Sequence, residues 1–315
     1  MNNPLVSVLI PAYNHENYVQ DTIQSIINQK YQNIELIVLD DGSSDSTFDK
    51  INELKEACEK RFSNVIFRRK VNEGICETLN KLIELSSGEY VFMIASDDMA
   101  KPNAISEEID FLEKNKEYSL CVGNNEFIDS EGKICYWKND AHETTYNPDK
   151  AQYKTFYDAI KPQKEEDFGK YSSLYIKNHV PNGCLIRKSV FEKICMFTDE
   201  APLEDWFLML QIAKFSKMKY IDKILFSYRW HGTNTVKNKE KMLSYVDKTI
   251  SFEEKIIKQA DKDFIFPEVF DIIKNGVTYK KQGIPFVFEI VKIKKSSKKI
   301  RQIKLFNIKI FEYDK

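Results

Sequence analysis

The residues best placed by type to do chemistry are carboxylates that follow short apolar runs. Ser96-Asp97-Asp98 comes directly after the apolar segment Tyr90–Ile94. Two carboxylates at the carboxyl end of a strand can hold a hard cation and a hydroxyl at once. Mg²⁺ and Mn²⁺ commonly take one or two protein carboxylates and leave positions for phosphate oxygens. The same residues, ahead of Lys101-Pro102, would also cap the next helix. Asp40-Asp41-Gly42-Ser43 lies just past another strand pattern. An acidic side chain there can accept from an N–H of a base or from a ribose hydroxyl, although Asp-Gly is also an ordinary turn dipeptide. Pro11-Ala12-Tyr13-Asn14 ends the first apolar run, and Tyr13 offers a ring that can stack on a base or simply pack. Glu204-Asp205-Trp206 sets a carboxylate beside an aromatic wall, fit for a general base on an acceptor hydroxyl with Trp206 facing a sugar ring. Its acids would equally complement a helix dipole. Tyr228 to Thr235 contains Arg229 and His231, which suit a diphosphate or a metal. With 4 His in the chain, a metal site built from several of them is not expected.

The elements that must position these residues alternate between strand and helix patterns over the first 125 residues. Strands are expected at Val6–Ile10, Ile34–Leu39, Val65–Phe67, Tyr90–Ile94 and Leu120–Val122. Helices are expected at Tyr18–Asn28, up to Arg61, at Ile75–Leu85 and up to Lys114. Tyr18–Asn28 carries Val19, Ile23, Ile26 and Ile27 at helical spacing. Strands separated by helices imply βαβ units and a mostly parallel sheet flanked by helices. In such sheets ligands sit at the carboxyl ends of the strands. Residues 126–235 are more mixed, with a hairpin turn at Asp129–Lys133, a polar loop-rich stretch at Asn139–Lys164, a short strand at Cys184–Ile186 and a helix at Glu204–Phe215. Two short strands are expected in Lys219–Arg229, across Asp222-Lys223. From Lys237 the pattern is helical to about Gln282. The divisions that follow are 1–125, 126–235 and 236–315.

Composition bounds the answer. The chain has 315 residues, 42% of them hydrophobic, so a real core can be buried. The net charge of -1 excludes a chain that is basic throughout and wraps nucleic acid. That sum hides an asymmetry. Residues 236–315 hold 19 Lys/Arg against 11 Asp/Glu, and residues 1–235 hold 28 against 37. The basic tail at 292–309 reads either as a solvated surface helix or strand pair, or as a contact for anionic lipid heads. The six cysteines follow no zinc spacing, and no secretory signal or membrane span is apparent. Reduced thiols in a cytoplasmic protein, peripheral at most to the inner membrane face, are expected.

In their order, these motifs resemble the family 2 glycosyltransferases, an inverting group with the GT-A fold. The resemblance runs through VSVLIPAYNHENYVQDTIQSIINQKYQNIELIVLDDGSSDST, NEGICETLNKLIELSSGEYVFMIASDD and PLEDWFLML. It implies a Rossmann-like, mostly parallel central sheet with a C-terminal helical extension. The nucleotide-sugar half would be 1–125, and the acceptor and catalytic-base half 126–235. Pro11, Ala12 and Tyr13 would line the base pocket. Asp41 would accept from the base, with Asp40 supporting the turn, and Asp97 would hold the ribose. Asp98 would ligate Mg²⁺ or Mn²⁺, while His231 and Arg229 close over the diphosphate. Asp205 would be the general base beside Glu204, and Trp206 would face the acceptor.

The chain departs from the family pattern at Ser96, where the acidic triplet often has Asp. It departs again at Thr78 and Leu79, where small and basic residues are common. A basic contact to the nucleotide is then left to Arg68 or Arg69, or is missing. The implied reaction is single-sugar transfer from a nucleotide-diphosphate sugar, UDP-hexose first, to a glycan or undecaprenyl-diphosphate-linked sugar in bacterial surface polysaccharide synthesis. A non-catalytic nucleotide- or sugar-binding module of the same fold is the alternative.

Overall fold

The structure is a computed structural model that describes residues 3–139, 142–234, 237–259, 289–295, 298–305 and 308–314. The first part is a βα alternation. It runs β1 (Val6–Ala12), α1 (Val19–Ile27), β2 (Ile34–Asp40), α2 (Thr47–Glu53), α3 (Lys55–Arg61), β3 (Asn64–Arg69), α4 (Ile75–Leu85) and β4 (Tyr90–Met93). Then come β5 (Met99–Ala100), α5 (Ala104–Lys114), β6 (Tyr118–Ile128), β7 (Ile134–Trp137), β8 (Thr144–Thr145), α6 (Phe156–Ile160) and α7 (Tyr171–Leu174). The body ends with β9 (Cys184–Arg187), α8 (Glu204–Ala213), β10 (Lys217–Arg229) and α9 (Lys239–Gln259).

The central sheet has the order β3-β2-β1-β4-β9-β6-β10-β5. β1, β2, β3 and β4 are mutually parallel, and β10 is parallel to β6. β9 is antiparallel to both β4 and β6, so these two halves point the same way. Only β9 and the two-residue β5 oppose the common direction along this path. The expected mostly parallel sheet is what the chain forms. Strand order reverses between β1 and β4, which is where open sheets of this kind bind ligands.

The pattern of the central strands explains the layering. Every residue of β2 is buried, as strands covered on both faces require. Leu36 and Val38 join one apolar cluster, with Val19, Ile23 and Ile26 of α1 and Ile105, Ile109 and Leu112 of α5. Ile37 and Leu39 alternate to the other face, against Leu79, Leu82 and Ile83 of α4 and Leu208, Leu210 and Ile212 of α8. Met242, Val246, Ile250 and Ile257 of α9 enter this second cluster. A buried ion pair anchors that helix. Lys214 Nζ lies 2.7 Å from Glu253, which also accepts from Tyr171 and Gln211. A third, aromatic cluster (Phe127, Trp137, Phe156, Tyr157 and Trp230) gives order to a stretch expected to be loop-rich.

Two expectations change. Lys217–Arg229 is a single strand rather than two, because register shifts against β6 around Tyr220 and Ile224 absorb Asp222-Lys223 without breaking the strand. The last helix is described to Gln259, and the expected continuation to Gln282 lies outside the described residues. The basic segment falls on an antiparallel trio, β11 (Glu289–Lys295), β12 (Lys298–Leu305) and β13 (Ile308–Asp314). The surface that this segment presents also lies outside what is described. Among the described residues no helix is long and apolar enough to cross a membrane.

One buried carboxylate holds the amino-terminal edge of the sheet. Glu35 is 1% exposed and accepts from the Ser7 hydroxyl at 2.5 Å, from the Ser87 N–H and hydroxyl at 2.6 Å each, and from Gly88 N–H at 3.2 Å. Burial alone would raise its pKa, but the hydrogen bonds from Ser7, Ser87 and Asn64 outweigh burial and hold it below the usual range. Its stabilisation is therefore complete above the ordinary glutamate pKa and is lost as pH falls through the depressed one. Glu35→Ala leaves these buried donors unpaired and is expected to lower the unfolding free energy by about 3 kcal/mol. Urea denaturation at neutral pH checks it, with the gap between variant and wild type closing in acid.

Candidate active site

The chemistry-bearing residues come together at the carboxyl ends of β1, β2 and β4 and at the end of β10. Two loops are tied there before any ligand is considered. Asn14, at φ 52°, sits in the left-handed region that Asn tolerates better than most residues. Its N–H donates to the Ser43 hydroxyl at 2.9 Å, and its side-chain oxygen accepts from Ser44 N–H at 2.8 Å. His15 N–H donates to Thr47 Oγ1 at 2.8 Å. The β1–α1 loop is thus fastened to the β2–α2 loop. Gly42 has φ 71°, and a Cβ there would meet Asn72 N at 2.8 Å, so the turn after β2 needs glycine.

Asp97 faces two imidazoles. His231 Nε2 is 2.9 Å from Asp97 Oδ2, and His15 Nε2 is 3.9 Å from the same oxygen. One ligand atom from each of His15, Asp97 and His231 lies within 4.8 Å of the others. Burial would raise the Asp97 carboxyl, but the His231 hydrogen bond and the two imidazoles overcome burial and hold it below its usual range. Burial lowers the pKa of His15, and the neighbouring Asp97 opposes that shift. Two imidazoles and an ionised carboxylate fit a divalent transition ion such as Mn²⁺ better than Mg²⁺, which prefers oxygen. The sequence pointed away from a site with several histidines, and the fold brings two of them, 216 positions apart (His15 and His231), beside one carboxylate in a group that could hold an ion.

Asp98 and Arg229 take other positions than expected. Asp98 is 1% exposed, and its Oδ1 accepts from the backbone N–H of Arg229 at 2.8 Å. Burial and the neighbouring Asp97 raise its carboxyl well above the usual range, against Arg229 and Asn182. Asp98 thus turns inward to the Arg229 backbone, while Asp97 is the carboxylate that stands beside the two imidazoles. Arg229 is fully buried rather than open to a diphosphate. Its Nε donates to Asp97 O at 2.7 Å and its Nη1 to the carbonyls of Asp129 and Ser130 at 3.3 Å. Its Nη2 donates to Asp21 at 3.0 Å. The guanidinium also lies 5.0 Å from the Tyr18 ring centre, and that ring tilts against His231.

The loops after β1 and β2 carry the residues read as a base pocket. Tyr13 is 48% exposed and open for stacking, with Pro11 half-buried and Ala12 buried beneath it. Asp40 supports the turn, accepting from Ser43 and from Arg69 Nε at 3.2 Å. Asp41 Oδ1 accepts from Lys70 Nζ and from Glu73 N–H at 2.9 Å, and Oδ2 accepts from Gly74 N–H at 2.9 Å. The basic residue beside Asp41 is therefore Lys70, while Arg69 is occupied on Asp40 and on the carbonyl of Ser43.

Glu204 and Asp205 open α8 in its first turn. Asp205 is exposed at the surface, and lost hydration raises its carboxyl above the usual range. Trp206 N–H and Asn178 oppose the shift. Asn178 Nδ2 donates to Asp205 Oδ2 at 3.2 Å. Burial and then the charge of Asp205 push Glu204 to about 8. The hydroxyl of Tyr228 is raised by burial and by the charges of Asp98, Asp97 and Asp205. Trp206 does not face a ligand. It is 2% exposed and donates its indole N–H to Leu174 O at 2.7 Å, so the expected sugar platform is a core residue. His15, Lys70 and Asn178 were missed. The first two stand beside motifs already singled out, but nothing in a linear pattern marks Asn178.

A family model described as Glycosyl transferase family 2 matches residues 7–195, more than half of the chain. An uncharacterized glycosyltransferase of Haemophilus influenzae is 29% identical over 307 residues, 96% of this chain and 85% of that protein. Against two Rickettsia glycosyltransferases the chain spans 44% and 30% of their length. Among solved structures, S. aureus TarS 1-349 in complex with UDP-GlcNAc superposes with a TM-score of 0.58 at 14% identity, over 85% of this chain and 70% of that one. The mannosyltransferase PcManGT of Pyrobaculum calidifontis, in complex with GDP-Man and Mn²⁺, gives 0.59 at 14%, over 88% and 69%. At that identity the likeness is one of fold, the GT-A arrangement of a mostly parallel sheet between helices. With the carboxylates, the loops and the strand order in place, the chain belongs to the family 2 glycosyltransferases.

Proposed function

We propose that this glycosyltransferase moves a single sugar, with inversion, from a nucleotide-diphosphate sugar to a hydroxyl of a glycan or undecaprenyl-diphosphate-linked glycan. The observation that carries the reading is Asp97 facing two imidazoles at the strand ends, with one ligand atom from each of His15, Asp97 and His231 within 4.8 Å of the others. Tyr13 stacks on the base, above Pro11 and Ala12. Asp41 accepts one base N–H on Oδ2, which among the described residues takes only the Gly74 N–H. Oδ1 already takes Lys70 and Glu73, so a single N–H donor such as that of uracil suits this carboxylate better than the paired donors of guanine. UDP-hexose is the favoured donor.

Asp97 and His231 are the residues that would hold a divalent ion. Such an ion, when bound, neutralises charge developing on the leaving diphosphate. Asp205 takes the proton of the acceptor hydroxyl as that oxygen attacks the anomeric carbon. The bond from that carbon to the diphosphate oxygen breaks on the opposite face, and the configuration inverts. Glu204, kept largely protonated below about pH 8, leaves Asp205 as the charged member of the pair. A raised proton affinity supports catalysis over a binding module, because it strengthens the base and does nothing for nucleotide affinity. The wider reading is surface polysaccharide synthesis at the cytoplasmic membrane face, with the basic tail meeting anionic lipid.

Release of nucleotide from UDP-, GDP- and dTDP-sugars in the presence of Mn²⁺ tests the donor class, and the reading expects UDP-hexose turnover with transfer to acceptor. Asp205→Asn is expected to lower kcat by about 10²–10⁴-fold while nucleotide affinity stays unchanged. Turnover within tenfold of wild type would remove the base assignment. The kcat profile should fall on its acid side at a pH above the ordinary aspartate range. Asn178→Ala should move that limb further up, because the lost N–H stabilised the ionised form of Asp205. Calorimetry should show that Asp97→Ala abolishes the effect of Mn²⁺ on UDP affinity, whereas Asp98→Asn keeps it.

A further inference from the structure

The imidazole of His15 is held as a ligand ring is held. Its Nδ1 lies 2.8 Å from the Ser96 hydroxyl, which is buried, and its Nε2 points at Asp97 Oδ2. His231 repeats the arrangement. Its Nδ1 lies 2.9 Å from Thr233 Oγ1 and accepts from Thr233 N–H at 3.4 Å, and its Nε2 lies 2.9 Å from the same Asp97 oxygen. A metal-ligating histidine donates its remote N–H to a fixed acceptor, which sets the tautomer and the ring angle. Here two hydroxyls, from different loops, serve two rings aimed at one carboxylate. The rings stand at 87° with centres 5.9 Å apart, so neither blocks the other. Around one ion with bonds of ~2.1 Å, ligand atoms stand about 3 Å apart at right angles and about 4 Å apart across it. The separations of 2.9 and 3.9 Å from Asp97 fall on that scale.

We propose that His15, oriented by Ser96, is a third protein ligand of the divalent ion and sets its preference for Mn²⁺ over Mg²⁺. The inference rests on the metal reading of Asp97 and His231 given above and extends it to the first loop. It also gives Ser96 a task. The residue that supplies no carboxylate to the acidic run instead fixes an imidazole that replaces one. A nitrogen ligand in that place favours the softer ion, since Mg²⁺ selects oxygen. The fastening of His15 N–H to Thr47 and of Asn14 to Ser43 and Ser44 holds the ring in place before the ion arrives.

The test is titration calorimetry of MnCl₂ and MgCl₂ into the full chain, with and without UDP, and pulsed EPR of the Mn²⁺-loaded protein. The wild type is expected to prefer Mn²⁺ and to show nitrogen couplings from two imidazoles. His15→Ala should lose one of the couplings and weaken Mn²⁺ binding by at least about tenfold, with little change for Mg²⁺. Ser96→Ala should weaken Mn²⁺ by about 10–100-fold, as loss of a ring-orienting partner does. His15→Asp should tighten Mg²⁺ relative to Mn²⁺. Thermal melting of each variant separates a lost ligand from a lost fold, and the two conservative variants keep the test open if His15→Ala unfolds. If His15→Ala keeps the Mn²⁺ affinity and ion preference within twofold while His231→Ala loses them, this inference falls and the metal reading stands. If the wild type binds neither ion, both fall.

Discussion

The site depends on one buried guanidinium. Arg229, at the end of β10, reaches the backbone of Asp97, the hairpin carbonyls of Asp129 and Ser130, and Asp21 on α1. Its own backbone N–H takes Asp98. Burying a charge costs several kcal/mol unless it is paired and hydrogen-bonded. Four acceptors in fixed positions are what offset that cost, so the segments that supply them are held to one arrangement. The consequence reaches the chemistry. With the backbone at Asp97 pinned and the Asp98 carboxyl drawn inward, Asp97 alone turns to His15 and His231.

Neighbouring acids in this site are pushed to different proton affinities by where they sit. Asp97 is lowered by imidazoles, and Asp98, one residue on, is raised by burial and by Asp97 itself. Glu204 and Asp205 are both raised, in a helix first turn whose dipole only partly offsets the lost hydration. Groups whose environments differ this way can divide labour between binding a cation and moving a proton. The scaffold makes the division durable, because β1, β2 and β4 are covered on both faces and end at one edge.

The sheet was legible because its signal is local. Continuous apolar runs such as IELIVL, spaced by amphipathic helices, admit few arrangements other than parallel strands between helices. The single strand β10 was not, since Asp222-Lys223 resembles a turn until pairing with β6 absorbs it. Among site residues, Tyr13 is exposed, Asp40 and Asp41 are tied into the turn after β2, and Asp205 opens α8. Trp206 and Arg229 are buried instead, because an aromatic or a guanidinium looks the same in sequence whether it faces a ligand or a core.

The sequence by itself determined the alternation of elements, the carboxylates at strand ends and the family that these motifs resemble. Only the tertiary structure decided which carboxylate of Asp97-Asp98 faces outward, which histidines meet, and that Arg229 is a tie rather than a ligand. The physical reason is that side-chain direction and burial at the ends of strands are set by distant partners. Asp98 is placed by a backbone N–H 131 residues away, and His231 meets Asp97 134 residues away. No local pattern of residue types carries that information.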